Sequence, residues 1–212
     1  MDRISDTREQ ILATAERLFA EHGVYTVSNR QIAEAAGQRN TAAVGYHFGD
    51  KADLIRAIIR KHNGPTEQLR TDMVARITGS TDIRSWVACF VRPTTQHLAT
   101  LGAPTWYARF SAQVVTEPTL HEIMAEETMH SSSLRRTLDA LHACLPELPD
   151  DVRAERTDMA RQLMVHMVAE RERALAEHTR TPRTTWHAAA TGLIDAITAI
   201  WRAPATPTGR AQ

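Results

Sequence analysis

The chain has 212 residues and a formal net charge of zero, with 42% of its residues hydrophobic and 24% charged. These proportions are ordinary for a soluble globular protein. No stretch approaches the roughly 18 apolar residues of a membrane span, and the N-terminal sequence lacks the apolar run of a signal peptide. The two cysteines, Cys89 and Cys144, form no metal-binding or redox pattern. We therefore expect free buried thiols, a cytoplasmic location and no membrane partner.

Positive charge is concentrated in one part of the chain. Residues 25–63 contain six Lys or Arg and three Asp or Glu, and the remainder cancels this excess. A net charge of zero argues mildly against a nucleic-acid binder, since many such domains are strongly basic. Phosphates nevertheless sense charge at short range, because salt screens the more distant charges. The local excess is thus compatible with DNA binding.

The first third of the chain predicts four helices. A buried stripe that includes Ile11, Ala15 and Leu18 indicates the first helix, and Gly23 ends it. Ser28-x-x-Gln31 is a capping box, which predicts the start of the second helix. The four predicted helices cover about residues 6–22, 28–36, 41–48 and 51–63, with the last ending near Gly64-Pro65.

The rest of the sequence stays helical in its periodicity and shows no strand pattern. Pro93, Pro104 and Pro118 are each expected to start or break a helix. Helices are expected between residues 66 and 117, punctuated by Pro93 and Pro104, and over residues 118–144 (one helix or two), 150–178 and 184–201, with a loop at 145–149. The sequence predicts an all-α fold of nine or ten helices. Residues 204–212 are rich in Pro and Thr, which predicts a disordered tail.

Two short helices joined at Gly37 match a helix-turn-helix. In this motif the first helix crosses the DNA backbone and the second lies in the major groove. Small residues in the second helix, among them Gly45, leave room for close approach. The expected base contacts are Arg39, Asn40 and Thr41. The expected phosphate contacts are Tyr46, His47 and Lys51.

Three motifs in this segment resemble the N-terminal domain of TetR-family repressors over about residues 8–60. They are Ile11-Leu-x-x-Ala15-x-x-Leu18-Phe19-x-x-x-Gly23, Ile32-Ala-x-x-Ala36-Gly37 and Tyr46-His47-Phe48-x-x-Lys51-x-x-Leu54. The resemblance implies a homodimer, a C-terminal core that binds a small-molecule effector, and release of a palindromic DNA operator on ligand binding. It also assigns DNA contacts to Arg30, Thr41, Tyr46, His47 and Lys51, and Ser28 is a further phosphate candidate.

The chain departs from the family pattern in its recognition helix. One extra residue separates Gly37 from His47, and Gly45 stands where an aromatic residue is usual. One residue turns a helix by about 100°. The sequence therefore leaves open which of four side chains faces the bases: Arg39, Asn40, Ala42 or Val44.

We expect residues 1–63 to form the DNA-binding domain and residues 64–203 the effector-binding and dimerisation domain. The last two helices are predicted to form the dimer interface as a four-helix bundle. The final helix is apolar at Leu193, Ile197 and Ile200, and Gly192 permits close backbone approach.

An effector pocket is predicted around an aromatic cluster that follows Pro104. The expected apolar wall is Trp106, Tyr107 and Phe110, with Arg109 and His97 as polar anchors. The other candidate lining residues are Trp86, Met124 and Met129. The same residues equally fit an ordinary filled core.

Two other functions compete with a repressor. Glu127-x-x-His130 is typical of carboxylate-bridged metal bundles, but a second copy, which such sites need, is missing from the sequence. The alternatives are thus a helical metalloenzyme and a helical adaptor that binds another protein. The sequence favours a regulator that is not an enzyme and has no metal or cofactor.

Overall fold

The computed structural model describes residues 3–205, and within this range it contains ten α-helices and no strand. The helices are α1 (Arg3–His22), α2 (Asn29–Ala35), α3 (Ala43–Phe48), α4 (Lys51–Ile77), α5 (Ile83–Thr100), α6 (Tyr107–Thr116), α7 (Pro118–Met129), α8 (Ser132–Ala143), α9 (Asp150–Ala176) and α10 (Trp186–Arg202). The predicted all-α fold is confirmed. Most of the predicted tail, residues 206–212, lies outside the described residues.

Local capping sets the boundaries of the N-terminal helices. Ser28 caps α2, because its Oγ accepts from Gln31 N at 3.2 Å while the Gln31 side chain accepts from Ser28 N at 2.8 Å. Asp50 caps α4 in the same way, through Asp53 N at 2.8 Å. Gly37 closes the turn after α2 with a φ of +68°, a value that L side chains rarely adopt.

Helices α1 to α4 enclose a small apolar core. Ile11 and Phe19 of α1, Ile32 of α2, Val44 of α3 and Ile58 of α4 are each completely buried. These side chains fix the orientation of α3, since its inner face is packed against the other helices.

Helix α4 is longer than the sequence predicts. It was expected to end near Gly64-Pro65, but it continues through Pro65 to Ile77. Proline removes one backbone donor and crowds the preceding turn. The second half of α4 buries Arg70 and Val74, and α4 packs on α5, α7 and α8, so tertiary contacts outweigh the local penalty.

Prolines in the C-terminal part have different roles. Pro93 is buried inside α5, so the expected break there is wrong. Pro104 lies in the loop before α6, and Pro118 is the first residue of α7, as predicted. The segment that the sequence left as one helix or two is two, because Ser131 caps a new helix through Leu134 N at 3.1 Å.

Helix α10 uses its apolar stripe within its own chain. Leu193 and Ile197 are buried, and α10 packs most extensively on α5. A Cβ on Gly192 would lie 2.7 Å from Nε of Arg183, so the close approach at this glycine is intramolecular. The stripe expected at a dimer interface is therefore part of the monomer core.

Helix α4 joins the N-terminal helices to the rest of the molecule. It spans the predicted boundary at residue 63, and the division into domains stays a prediction. A second connection is formed by α1 and α6, where Gln113 Nε2 donates to Ala20 O at 3.0 Å and Trp106 Nε1 to Glu21 Oε1 at 3.2 Å. No helix within residues 3–205 is long and apolar enough to cross a membrane.

Candidate functional site

Helix α3 has one buried face and one open face. Ala43, Val44 and Phe48 point into the core, whereas Gly45 is exposed and Tyr46 is 81% exposed. A Cβ at Gly45 would meet nothing within 4 Å. This arrangement turns Val44 away from the groove-facing side, so Val44 is removed from the four candidates for base contact.

The segment that the sequence placed at the start of α3 lies before it. Helix α3 begins at Ala43, two residues later than predicted, and Arg39 to Thr41 form the preceding turn. Asn40 Oδ1 accepts from Ala42 N at 3.0 Å, which stabilises this turn. Arg39 and Thr41 are exposed beside it and remain available to a ligand such as DNA.

Two of the predicted phosphate contacts are neighbours on α3, and a third, Arg30, lies on α2. Tyr46 and His47 are in contact edge to face, with ring centroids 5.2 Å apart. Arg30 is exposed and pairs with Glu34 at 2.8 Å. An exposed pair of this kind contributes little to stability, so a phosphate can replace Glu34 at little cost.

Lys51 has a structural role that sequence reasoning missed. Its Nζ donates to Val24 O at 3.0 Å and to Val27 O at 2.7 Å. The ammonium thus holds the loop between α1 and α2 against the start of α4, and burial lowers the pKa of Lys51. The phosphate contact expected from Lys51 stays a prediction, but two of its three donors are already used.

A second candidate site is a cavity of about 580 Å³ in the C-terminal part. It is lined by side chains of α4 to α9 and open on one side, and its volume is typical of small-molecule sites. Of the eight predicted ligand residues, Tyr107 and Met124 line it. Burial raises the pKa of Tyr107 to about 12, so its hydroxyl stays neutral at physiological pH.

Three of the other predicted ligand residues belong to the core. Trp86 is buried and donates from Nε1 to Ser80 O at 2.8 Å. Phe110 is completely buried and stacks on Phe19, with ring centroids 6.2 Å apart. His97 is buried beside His62 and does not line the cavity. For these residues the filled-core interpretation fits the structure better than a pocket wall.

The remaining three are also placed outside the cavity. Trp106 is half-buried at the contact with α1, and Met129 is exposed. Arg109 donates from Nε to Glu172 Oε2 at 3.2 Å. Glu172 also accepts from Thr105 Oγ1 at 2.7 Å, so the Arg109 pair fixes the start of α6 against α9.

A buried polar cluster lies between the two candidate sites. His62 Nε2 is 2.9 Å from Glu16 Oε2 on α1, and His62 Nδ1 is 2.8 Å from His97 Nε2 on α5. Burial lowers the pKa of His97 to about 4, and the neighbouring His62 adds to this effect. Tyr107 closes the cluster on the cavity side by stacking on His62.

Two family models match this chain. The model described as "Bacterial regulatory proteins, tetR family" matches residues 11–58. The model described as "Tetracyclin repressor-like, C-terminal domain" matches residues 88–199, which is more than half of the chain. The chain belongs to the TetR family.

Curated relatives of this TetR-family protein match its N-terminal part. The HTH-type transcriptional repressor AcnR of Corynebacterium glutamicum is 40% identical over 60 residues, which are 28% of this chain and 31% of the relative. The HTH-type transcriptional regulator AcrR of Shigella flexneri is 36% identical over 74 residues, 35% of this chain and 34% of the relative. The matches thus span about a third of the length of these relatives.

Solved structures share the fold of this TetR-family protein over nearly its whole length. AmtR of Mycobacterium smegmatis has a TM-score of 0.60 and 21% identity, and the match covers 90% of this chain and 86% of AmtR. PfmR of Thermus thermophilus, a TetR-family transcriptional regulator, has a TM-score of 0.57 and 18% identity, with 97% and 100% covered. At such identities the likeness shows the fold alone.

Sequence reasoning missed most of the charged residues of the cavity. Glu67 and Arg70 lie on the half of α4 beyond Pro65, where the sequence predicted a break from the first half, and Arg161 lies on α9. The sequence did contain one indication of these residues, because the spacing of Glu67 and Arg70 places them one turn apart on the same helix.

The structure does not support the alternative of a metalloenzyme, which was based on Glu127 and His130. Glu127 is bound by both Nε and Nη2 of Arg60, at 2.9 and 2.7 Å, and His130 is exposed. Among residues 3–205 no three His, Cys, Asp or Glu side chains are grouped as a metal would require. The family match likewise does not favour a metalloenzyme.

Proposed function

We propose that this TetR-family protein is a cytoplasmic DNA-binding transcriptional regulator that acts as a repressor and releases its operator when a small molecule binds. The open face of α3 supports this proposal most strongly. Its inner side chains are packed into the core, while Tyr46 is 81% exposed and Gly45 leaves the surface free of side-chain bulk. A rigid helix with such a face suits insertion into the major groove.

The contacts to DNA divide into two groups. Arg39 and Thr41 lie in the turn before α3, where they reach base edges as α3 enters the groove. Tyr46 and His47 on α3 and Arg30 on α2 bind phosphates. Ser28 supports this surface mainly through its capping bonds to Gln31.

The regulator functions as a homodimer, which lets two recognition helices bind the two halves of a palindromic operator. The exposed methionines Met159 and Met167 of α9 support a dimer interface on this helix. Large apolar side chains exposed together on one helix favour association. TetR-family regulators are commonly dimers. The apolar stripe of α10 contributes less to the dimer interface than the sequence predicts, because Leu193 and Ile197 are buried within the chain.

Effector binding acts on DNA binding through α4. The cavity contacts α4 at Arg60, Glu67 and Arg70, and the same helix begins at Lys51 beside the helix-turn-helix. Two recognition helices must lie about 34–36 Å apart to bind successive turns of the groove. A ligand that favours another position of α4 therefore weakens DNA binding by linkage.

The test is binding of the purified protein to the DNA upstream of its own coding region, measured by fluorescence anisotropy at several salt concentrations. We expect tight binding to one palindromic site and a steep loss with salt. Arg39→Ala should weaken binding to that site by roughly 1–3 kcal/mol and should weaken binding to random DNA much less. Arg173→Ala, at an exposed position of α9, is the control. Absence of any salt-dependent DNA binding would favour the adaptor alternative and overturn the proposal.

A further inference from the structure

A buried guanidinium nitrogen in the wall of the cavity lacks an acceptor. Arg161 lines the cavity, and its Nε and Nη2 both donate to Asp158 Oδ1 on the same helix. Its Nη1 is buried and has no hydrogen-bond partner within the part of the chain that the structure describes. A buried donor on a charged group is costly to leave unpaired. Because the Arg161 side chain is one-third exposed and lines the cavity, its guanidinium is the group of the wall to which a ligand can bring an acceptor.

The other charges of the cavity wall are matched within the protein. Glu127 is bound by Arg60 through two hydrogen bonds. Glu67 lies 3.8 Å from Arg70 and accepts from Ser133 N at 2.9 Å and Ser133 Oγ at 2.7 Å. Arg70 is further fixed by its bond from Nε to Cys89 O at 3.2 Å.

Arg161 therefore leaves the lining with an excess of positive charge. Its carboxylate partner, Asp158, is 60% exposed and does not belong to the cavity wall. Each of the two lining glutamates already faces its own arginine. A ligand that brings a negative charge to the Arg161 guanidinium both supplies a further acceptor and balances the charge of the wall.

Most of the remaining surface is apolar. Its principal members are Phe90, Leu98, Val115, Met124, Leu134 and Met164. They come from five helices, and the methionines allow the wall to adapt to the shape of a ligand. An extended or flat hydrocarbon body fits such a surface, and its burial supplies most of the binding energy.

We infer that the effector is an amphipathic organic acid, with its anionic group on the guanidinium of Arg161 and its apolar body in the cavity. The regulatory effect of this ligand rests on the proposed function, whereas its binding to the cavity does not. A neutral ligand of the same shape gains the apolar contacts but not the charge-assisted bond to the guanidinium.

The experiment uses decanoate and decan-1-ol as probes, with binding to the full-length protein measured by calorimetry. Decanoate should bind about tenfold or more tightly than the alcohol. Arg161→Gln should abolish this preference and leave the affinity for decan-1-ol within about threefold, since the apolar wall is unchanged. Arg173→Gln is the matched control, because Arg173 pairs with Glu170 three residues earlier on the same helix but does not line the cavity.

Equal affinities of the two probes, no decanoate binding below its aggregation limit, or an unchanged preference in Arg161→Gln would each overturn the inference. Unfolding of each variant is followed by circular dichroism, and Arg161→Lys restores the charge if Arg161→Gln fails to fold. Anisotropy with operator DNA on the same samples separates the two proposals. Loss of DNA binding with intact decanoate binding contradicts the regulator, whereas DNA binding without decanoate binding contradicts only the ligand class.

Discussion

The imidazole of His62 lies flat against the ring of Tyr107, with ring centroids 3.7 Å apart and an angle of 15° between the planes. Tyr107 lines the cavity, whereas His62 is linked to α1, because His62 Nε2 is 2.9 Å from Glu16 Oε2. Helix α1 packs directly on α2 of the helix-turn-helix. A displacement of Tyr107 can thus reach the DNA-binding part through one intervening side chain.

The pair of His62 and Glu16 should be important for stability. His62→Leu leaves the buried carboxylate of Glu16 without its partner, and we expect a loss of about 3 kcal/mol or more in the free energy of unfolding. Glu16→Leu combined with His62→Leu should cost less than the sum of the two single changes. The measurement is urea denaturation of all three variants.

A control for this comparison of single and double variants is available on α1, the helix that carries Glu16. Arg17 and Glu21 form a surface i,i+4 pair at 2.9 Å, so Arg17→Leu, which leaves the bond from Trp106 to Glu21 in place, should cost less than about 1 kcal/mol. Additive losses for Glu16 and His62 would mean that their hydrogen bond contributes no coupling energy.

Acid should destabilise the protein through His97. Its pKa is lowered to about 4 in the folded state by burial and by His62, with Lys61 contributing in the same direction and Glu16 opposing it. The unfolded chain therefore takes up this proton first, so this stabilisation is complete above about pH 6.5 and is lost as the pH falls towards 4. The contribution is at most about 3 kcal/mol.

His97→Gln should flatten this part of the pH profile, with the free energy of unfolding measured from pH 7.5 to 4. His130→Gln, at an exposed position on the surface, should keep the wild-type slope. If His97→Gln and the wild type lose stability in parallel over this interval, titration of His97 does not oppose folding.

Lys51→Met should act first on stability. The change removes the donors to Val24 O and Val27 O, and we expect a loss of about 1–3 kcal/mol in the free energy of unfolding. Lys61→Met is the control, since Lys61 lies on the same helix but pairs at the surface with Glu9. Unchanged thermal stability together with weaker binding to all DNA sequences would instead identify Lys51 as a phosphate ligand.

Met167→Glu should convert the proposed dimer to monomers, because it places a charge on the exposed apolar surface of α9. Light scattering at several protein concentrations measures the change. Met129→Glu is the matched control, since Met129 is likewise exposed but lies at the end of α7. Ile197→Glu should unfold the chain, because Ile197 is completely buried within the monomer. A Met167→Glu variant that remains dimeric places the interface elsewhere.

The sequence predicted the helices that depend on local rules. The capping box at Ser28, the break before Lys51 and the apolar stripe of α1 are each readable from a few neighbouring residues, and the structure confirms them. It failed where tertiary contacts outweigh such rules, as at Pro65 and Pro93, which both lie inside helices.

The two candidate sites differ in the same way. The exposed face of α3 follows from one short motif, so the surface position of Tyr46 was predictable. The cavity instead requires the packing of α4 to α9, and six of the eight residues predicted for it lie elsewhere. An aromatic cluster such as Trp106 and Phe110 predicts burial, but it does not distinguish a filled core from the wall of a cavity.

The unbroken course of α4 through Pro65 makes it a mechanical lever. Its 27 residues span roughly 40 Å, so a tilt of about 5° displaces one end by about 3 Å relative to the other. A displacement of that size is comparable to one base-pair step along DNA. Small adjustments around a ligand at Arg70 can therefore be amplified at the Lys51 end. Had the helix ended at Gly64, as the sequence predicted, a hinge there would absorb the motion before it reached the operator.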